Sequence, residues 1–154
     1  MITTKQAFEK YGVPSDNPKY LVTIKLPYPM RLSWDKETKV TKMRCHKLVA
    51  DKFDLIFKEL LNYYSYEKIV ELGIDLFGGC FNFRKMRGGS DYSRHSWGIA
   101  IDLDPERNGM NTPVTKAQFN KPEYKPMIEI FKKNGFNWAG YMWKKDAMHW
   151  EIAE

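Results

Sequence analysis

A length of 154 residues and a hydrophobic fraction of 43% suffice for one compact domain with a sizeable core, which makes a second domain unexpected. The 25 Lys and Arg residues outnumber the 19 Asp and Glu residues, giving a net charge of +6 that favours anionic partners. No nucleic-acid-binding motif occurs, so we expect no nucleic-acid role. The two cysteines, Cys45 and Cys80, form no C-x-x-C pair, which argues against a disulfide framework and against cysteine-ligated zinc.

The sequence contains no long apolar run. No apolar stretch follows the first Met, and the longest apolar segments are far shorter than a membrane span. We therefore expect synthesis in the cytoplasm without stable membrane insertion. We also expect a monomer.

The first half of the chain predicts an arm, a strand and two helices. Residues 1–25 form an N-terminal arm rich in turn formers, and an apolar strand over 20–26 is closed by a Pro-Tyr-Pro sequence. Apolar residues recur at helical spacing over 46–64, which predicts the best helix of the chain. A shorter helix over 66–72 should end at Gly73.

The second half alternates strands with loops. A strand over 74–83, interrupted by a glycine pair, should bring Arg84 to its end. A polar, glycine-rich loop leads from there to a strand over 98–104. After another loop, helical spacing around 127–131 is followed by a final strand over 147–153.

The strand over 98–104 places a small, acidic face beside a histidine. Strand periodicity sends Asp102 and Asp104 to the face opposite the apolar residues of this strand. His95 lies seven positions before Asp102, so a straight strand would point the two side chains in opposite directions. A bend at Ser96-Trp97-Gly98 can bring them together.

A third group follows near the end of the chain, where His149 stands between Asp146 and Glu151. Two imidazoles and one carboxylate are a usual protein ligand set for catalytic zinc. A further carboxylate must then carry the proton in a hydrolysis. Both Asp146 and Glu151 are candidates for this base.

Several residues have a structural interpretation. His46 has no ligand partner at a suitable spacing, so we expect it to be structural. Cys80 is expected to be a small buried hydrophobe. Trp138, Trp143 and Trp150 predict a half-buried aromatic wall, with the lining of a peptide or sugar groove as the alternative.

The pattern S-x-H-x-x-G-x-A-x-D, from Ser93 to Asp102, resembles the core motif of the VanY-like zinc peptidases. This family contains D-alanyl-D-alanine carboxypeptidases and L-alanyl-D-glutamate peptidases. The tail "FNWAGYMWKKDAMHWE" is similar to the family's second motif, although "WAGYMW" replaces a more usual double glycine. The stretches "PYPMRLSWD" and "GGCFNFRKMRGGS" resemble the phage and prophage branch, so the resemblance begins at about Leu26 and leaves out the arm.

The resemblance implies roles for individual residues. It makes His95, Asp102 and His149 the ligands of Zn²⁺ and Asp146 the catalytic base. It also implies that Arg84 stabilises the oxyanion or holds a substrate carboxylate and that Ser93 contacts substrate. Arg87 remains a rival to Arg84, because both precede the same glycine-rich loop and either guanidinium could bind a carboxylate.

The fold and function follow from the same resemblance. It implies one α+β domain over residues 1–154, with a small, mainly antiparallel sheet, helices packed on it and the zinc site in a cleft. The implied activity is hydrolysis of a bacterial peptidoglycan stem peptide by a phage lysin, which stays in the host cytoplasm until another protein releases it. A D-alanine-trimming metabolic enzyme and a non-catalytic wall-binding or phage structural domain are the alternatives.

Overall fold

The computed structural model describes residues 1–154 as a sheet covered by helices. The strands are β1 (Leu21–Leu32), β2 (Asp35–His46), β3 (Leu76–Gly79), β4 (Ala100–Leu103), β5 (Phe136–Trp138) and β6 (His149–Ile152). The helices are α1 (Thr4–Tyr11), α2 (Ala50–Tyr64), α3 (Tyr66–Leu72), α4 (Lys125–Lys133) and α5 (Ala139–Met142). The strand order is β2-β1-β3-β4-β6-β5, and only β1 and β3 are parallel neighbours. The predicted single α+β domain with a mainly antiparallel sheet is confirmed.

Helix α2 supplies much of the core. Its apolar residues repeat at helical spacing, and Phe53, Ile56, Phe57 and Leu60 are fully buried. Burial of each such side chain contributes about 1.5–3 kcal/mol. The helix begins at Ala50, four residues later than predicted, because the preceding residues complete a strand and a turn. None of the helices combines the length and apolar character that a bilayer crossing requires.

Strands β1 and β2 form a long hairpin, of which only the start was predicted. β1 does not stop at the Pro-Tyr-Pro sequence but continues to Leu32. Prolines lack an N–H group and are normally excluded from a paired strand. Here Pro27 and Pro29 lie where the register with β2 shifts, between Lys25 and Met30, so no ladder hydrogen bond is lost to them.

The N-terminal arm contains a helix that was not predicted. Thr3 and Gln6 form a capping box at the start of α1, which satisfies free backbone N–H groups. Phe8 packs edge-on against Trp97, with ring centroids 5.4 Å apart. The indole N–H of Trp97 donates to the carbonyl of Gly12 at 2.8 Å. The arm is therefore packed against the segment that carries His95.

Three short strands place the site in the middle of the sheet. β4 lies between β3 and β6, and both of its pairings are antiparallel. Ile99, Ile101 and Leu103 belong to the core, as the strand period predicted. Asp102 therefore faces the other side of the sheet. β3 is shorter than predicted and ends at Gly79, so Arg84 does not lie at a strand end.

Candidate metal centre and cleft

A single turn before β4 orients His95. Residues Arg94–Trp97 form a 3₁₀ turn, and the hydroxyl of Ser93 accepts a hydrogen bond from the His95 N–H at its start. The turn ends at Gly98, whose φ of +71° is left-handed, and a Cβ there would lie 2.8 Å from the His46 backbone nitrogen. Glycine is required at this close approach. The predicted bend is thus present.

The bend brings three side chains from separate elements together. Asp102 on β4 lies directly opposite His149 on β6 in the register of the sheet. Its carboxylate lies 3.2 Å from His95 Nε2 and 3.1 Å from His149 Nδ1. One potential ligand atom from each residue lies within 4.8 Å of the others, a spacing that could hold a metal ion. Asp104 was predicted to share the strand face of Asp102. Its backbone instead takes a left-handed φ of +46°, and its carboxylate pairs with Arg107.

The donor atoms fit a zinc ion. His95 Nδ1 lies 2.7 Å from the carbonyl oxygen of Cys80, which can only accept, so Nδ1 carries the proton. His95 Nε2 then offers a lone pair, and it is buried without a hydrogen-bond partner. A histidine that donates one N–H to a carbonyl and presents its other nitrogen is the usual zinc-ligand arrangement.

His149 is held by a second carboxylate. Its Nε2 lies 2.9 Å from Glu151 Oε1, which leaves Nδ1 facing Asp102. The ring of Trp143 stacks on the imidazole at a centroid distance of 5.4 Å. Glu151, which also lines the cleft, thus contacts a potential ligand, an arrangement that orients the imidazole.

The carboxylates and imidazoles of the cluster shift one another's pKa values. Burial alone would raise the pKa of Asp102, but the two neighbouring histidines hold that pKa well below its usual range. Burial opposes a charge on His149, yet its hydrogen bonds to Asp102 and Glu151 raise its pKa to about 10. A metal ion that binds His149 must therefore displace a proton.

Asp146 is a carboxylate without a partner at the mouth of β6. β6 begins at His149, so Asp146 precedes the strand, as the polar sequence before it predicted. Its Oδ1 is buried and has no hydrogen-bond partner. Burial is the main cause that raises the pKa of Asp146; the charge of His149 opposes this rise, and the charge of Asp102 adds to it. Its backbone is held at φ +59°, an unusual value for a residue other than glycine.

The metal-ligand cluster lies in a cleft of about 600 Å³. Every residue with a predicted site role lines it: Arg84, Arg87, Ser93, His95, Asp102, Asp146 and His149. Arg84 does not come from a strand end. Its N–H donates to the Ser96 hydroxyl, and its carbonyl accepts from the Ser96 hydroxyl and the Ser93 N–H. Its guanidinium has no carboxylate partner, whereas Arg87 lies in an exposed turn.

Sequence reasoning missed some residues of the cleft. Met110 and Asn111 line it from the loop after β4, and Lys145 lines it beside Asp146. The loop is anchored by Asn108, whose amide donates to the Asp104 carbonyl and whose side-chain oxygen accepts from Phe119. A buried asparagine in a polar loop carries no periodic signal in the sequence.

The residues that were predicted to be structural differ in their surroundings. His46 lies away from the cleft, with Nε2 2.8 Å from the Tyr11 carbonyl and Nδ1 accepting from the Leu48 N–H. Cys80 is buried, as predicted. Trp138 and Trp150 are buried in the core, whereas Trp143 is partly exposed and lines the cleft. Trp138 and Trp150 are therefore more deeply buried than the predicted half-buried wall, and Trp143 alone of the three lines the cleft, as the alternative expected.

Comparison with known proteins agrees with the motifs. Residues 87–152, less than half of the chain, match the family model described as D-alanyl-D-alanine carboxypeptidase. The matched segment contains His95, Asp102 and His149 but not α1, the hairpin or Arg84. No curated protein and no solved structure matches the chain significantly. The match and the potential metal site together support the zinc peptidase family that both motifs resemble.

Proposed function

We propose that the protein is a zinc-dependent peptidase that hydrolyses a bond in bacterial peptidoglycan stem peptides. The observation that carries the proposal is the cleft itself. It combines a two-histidine, one-aspartate metal-ligand set with the half-buried carboxylate of Asp146, whose Oδ1 has no hydrogen-bond partner. A catalytic zinc site needs three protein ligands and a separate proton carrier, and the cleft contains both.

His95, Asp102 and His149 would hold the zinc ion. When bound, zinc supplies Lewis acidity, which polarises a carbonyl and lowers the pKa of water. Cys80 and Glu151 fix the two imidazoles through hydrogen bonds to the ring nitrogens that face away from Asp102. These contacts hold the ligands in one geometry before a substrate arrives.

Asp146 is the proposed base. The pKa of its carboxyl group is raised toward neutral pH. Asp146 can therefore take a proton from water and return it to the leaving amine. Arg84 is proposed to stabilise the charge that develops on the carbonyl oxygen, because Arg84 lines the cleft and its guanidinium has no carboxylate partner.

The cations that line the cleft fit an acidic peptide. Arg84, Arg87 and Lys145 line it beside the potential metal ligands. Stem peptides carry the free carboxylates of D-glutamate and terminal D-alanine, which guanidinium groups bind well. We propose the L-alanyl-D-glutamate bond or a bond to D-alanine as the target. Ser93 is proposed to contact the peptide, in addition to starting the His95 turn.

The biological setting is proposed from the sequence stretches that resemble the phage branch. We propose a lysin that remains in the host cytoplasm until a separate membrane-permeabilising protein releases it to the wall. The net charge of +6 suits a wall rich in carboxylates and phosphates.

The test is digestion of purified peptidoglycan by the zinc-loaded protein, followed by mass analysis of the soluble fragments. A new amine at D-glutamate identifies the endopeptidase, and release of free D-alanine identifies the carboxypeptidase. The His95→Ala variant serves as the control and should release neither. Sedimentation of the wild-type protein with the wall, without any new chain ends, would contradict the peptidase and indicate a non-catalytic binding domain.

A further inference from the structure

Three cations lie together on the outer face of the β1–β2 hairpin, outside the cleft. In the register of the hairpin, Lys25 lies directly opposite Lys42, and Thr23 lies opposite Arg44. The intervening pair, Ile24 and Met43, belongs to or packs against the core. Side chains alternate along a strand, so the four residues share the face turned away from the core, and all four are exposed. They are called the basic cluster below.

The cluster contains an electrostatic conflict that the fold does not resolve. Two lysines directly opposite each other on a sheet repel and destabilise the pairing. None of the three cations forms a salt bridge. The stretch from Thr38 to Leu48 contains four Lys or Arg residues and no acid. An anion bound between the cations would remove the repulsion.

The cluster also connects to the cleft. The guanidinium of Arg44 lies over the ring of Phe81, 5.1 Å from its centroid. Phe81 is three residues before Arg84, which lines the cleft. Three residues of extended chain span about 10 Å. A polymer held on the cluster would therefore lie close to the entrance of the cleft.

The chemistry of the cluster selects the anion. Two lysines, an arginine and a threonine share one face of two adjacent strands, with directly opposite Cβ atoms about 5 Å apart. A phosphate group presents several oxygen atoms and satisfies such a set, whereas a carboxylate presents two. Lys42 and Arg44 are two positions apart, or about 7 Å along the strand, which suits a chain with successive charges.

We propose that the basic cluster binds a phosphodiester polymer of the bacterial wall and thereby holds the cleft beside its substrate. The wall setting rests on the proposed function, but the binding itself does not require hydrolysis. A different explanation is that Lys42 protects the edge strand β2 from pairing with another chain. That role does not explain why Lys25 is aligned with Lys42 across the hairpin.

The experiment measures binding of fluorescently labelled poly(glycerol phosphate) to the full chain at about 50 mM salt, where polyanion contacts are strong. The triple variant Lys25→Gln, Lys42→Gln, Arg44→Gln is compared with the control Lys121→Gln, Lys125→Gln, Lys132→Gln. The control removes the same charge from exposed residues that form no salt bridge and lie outside the cleft. We expect the cluster variant to bind at least about tenfold more weakly and the control to lose less than about twofold.

A single variant, Lys42→Arg, should retain binding, because it keeps the charge. Thermal unfolding of each variant verifies that it is folded. Equal losses in the two triple variants, or no loss in either, would overturn the proposal.

Two other polymers test the identity of the occupant. Polyglutamate of matched length should bind more weakly than poly(glycerol phosphate), and single-stranded DNA should not bind more tightly. Equal binding of polyglutamate would overturn the phosphate assignment, and tighter binding of DNA would make the partner a nucleic acid. Because binding is the only readout, a protein that binds the polymer but cuts no peptide would refute the peptidase alone.

Discussion

At the scale of single residues, the two acids that flank His149 differ in their contacts. Asp146 has a buried oxygen without a partner, whereas Glu151 is paired with the imidazole of His149. A free carboxylate can move protons, and a paired one orients its partner. The spacing of the residues left both as candidates for the base, the family resemblance implied Asp146, and these contacts favour Asp146.

Replacement of the two acids tests this division. We expect Asp146→Asn to keep its zinc and to lose two or more decades of activity, about the contribution of a positioned general base or somewhat more. Glu151→Gln should cost less activity and lower the zinc affinity by about tenfold, because the amide still reaches His149. Kinetics and metal content are measured side by side. A nearly active Asp146→Asn beside an inactive, zinc-loaded Glu151→Gln would transfer the role to Glu151.

The two arginines of the cleft differ in how firmly they are held. The backbone of Arg84 is fixed by Ser93 and Ser96, whereas Arg87 lies in an exposed turn. We expect Arg84→Ala to lower turnover by about two to three decades with zinc retained, as removal of a preorganised donor does. Arg87→Ala should change mainly KM. Turnover numbers on a stem peptide decide, and a larger loss of turnover in Arg87→Ala would reverse the assignment.

The residues of the potential metal site could be predicted because they lie in two short motifs. The spacing from His95 to Asp102 indicated a bend, and the bend is present. The contact of Glu151 with His149 could not be predicted, since a strand period gives a face but no contact. Asp104 lies outside the site because its backbone is left-handed and its carboxylate pairs with Arg107. Strand periodicity reveals neither feature.

At the scale of elements, the missed strand β2 has a physical explanation. Its sequence is mostly charged or polar, and only Met43, Cys45 and His46 are buried. The apolar alternation that identifies a strand is therefore confined to its last third. The helix α1 was missed for a related reason, because only Ala7 and Tyr11 of its eight residues are buried. Such elements form through contacts with the rest of the fold.

His46 connects these two elements, and its protonation should loosen them. Its ring stacks on Tyr20, donates to the Tyr11 carbonyl and accepts from the Leu48 N–H, so only the neutral form fits. Burial is the main cause that lowers its pKa below 6.5. In that pH range the unfolded chain binds a proton that the folded chain does not. The stability that His46 contributes is therefore complete above about pH 6.5 and falls as the pH drops through the lowered pKa.

Urea unfolding of the wild type and of His46→Asn at a series of pH values measures this effect. The difference in unfolding free energy between the two proteins should shrink between about pH 6.5 and pH 5. Subtraction of the variant removes the contributions of the other histidines. A difference that stays constant with pH would show that protonation of His46 does not oppose folding.

At the scale of the whole molecule, the net charge of +6 predicts a dependence on salt. Screening acts mainly on charges that are exposed and far apart, with a Debye length of about 10 Å at 0.1 M salt. Activity on intact walls should therefore fall as salt rises, and activity on a short soluble stem peptide should change less. The two rates are measured over the same salt series. If both rates fell equally as salt rises, long-range attraction would not contribute to activity on intact walls.

The metal site is the claim on which the proposed activity depends. Zinc content by elemental analysis, measured together with hydrolysis before and after chelation, tests it most directly. We expect about one zinc per chain, loss of hydrolysis on chelation and its return with added zinc. His95→Ala, Asp102→Ala and His149→Ala should each lose the metal, whereas His46→Ala should keep it. Full hydrolysis by the zinc-free protein, or a zinc content that does not change in the three ligand variants, would contradict the account.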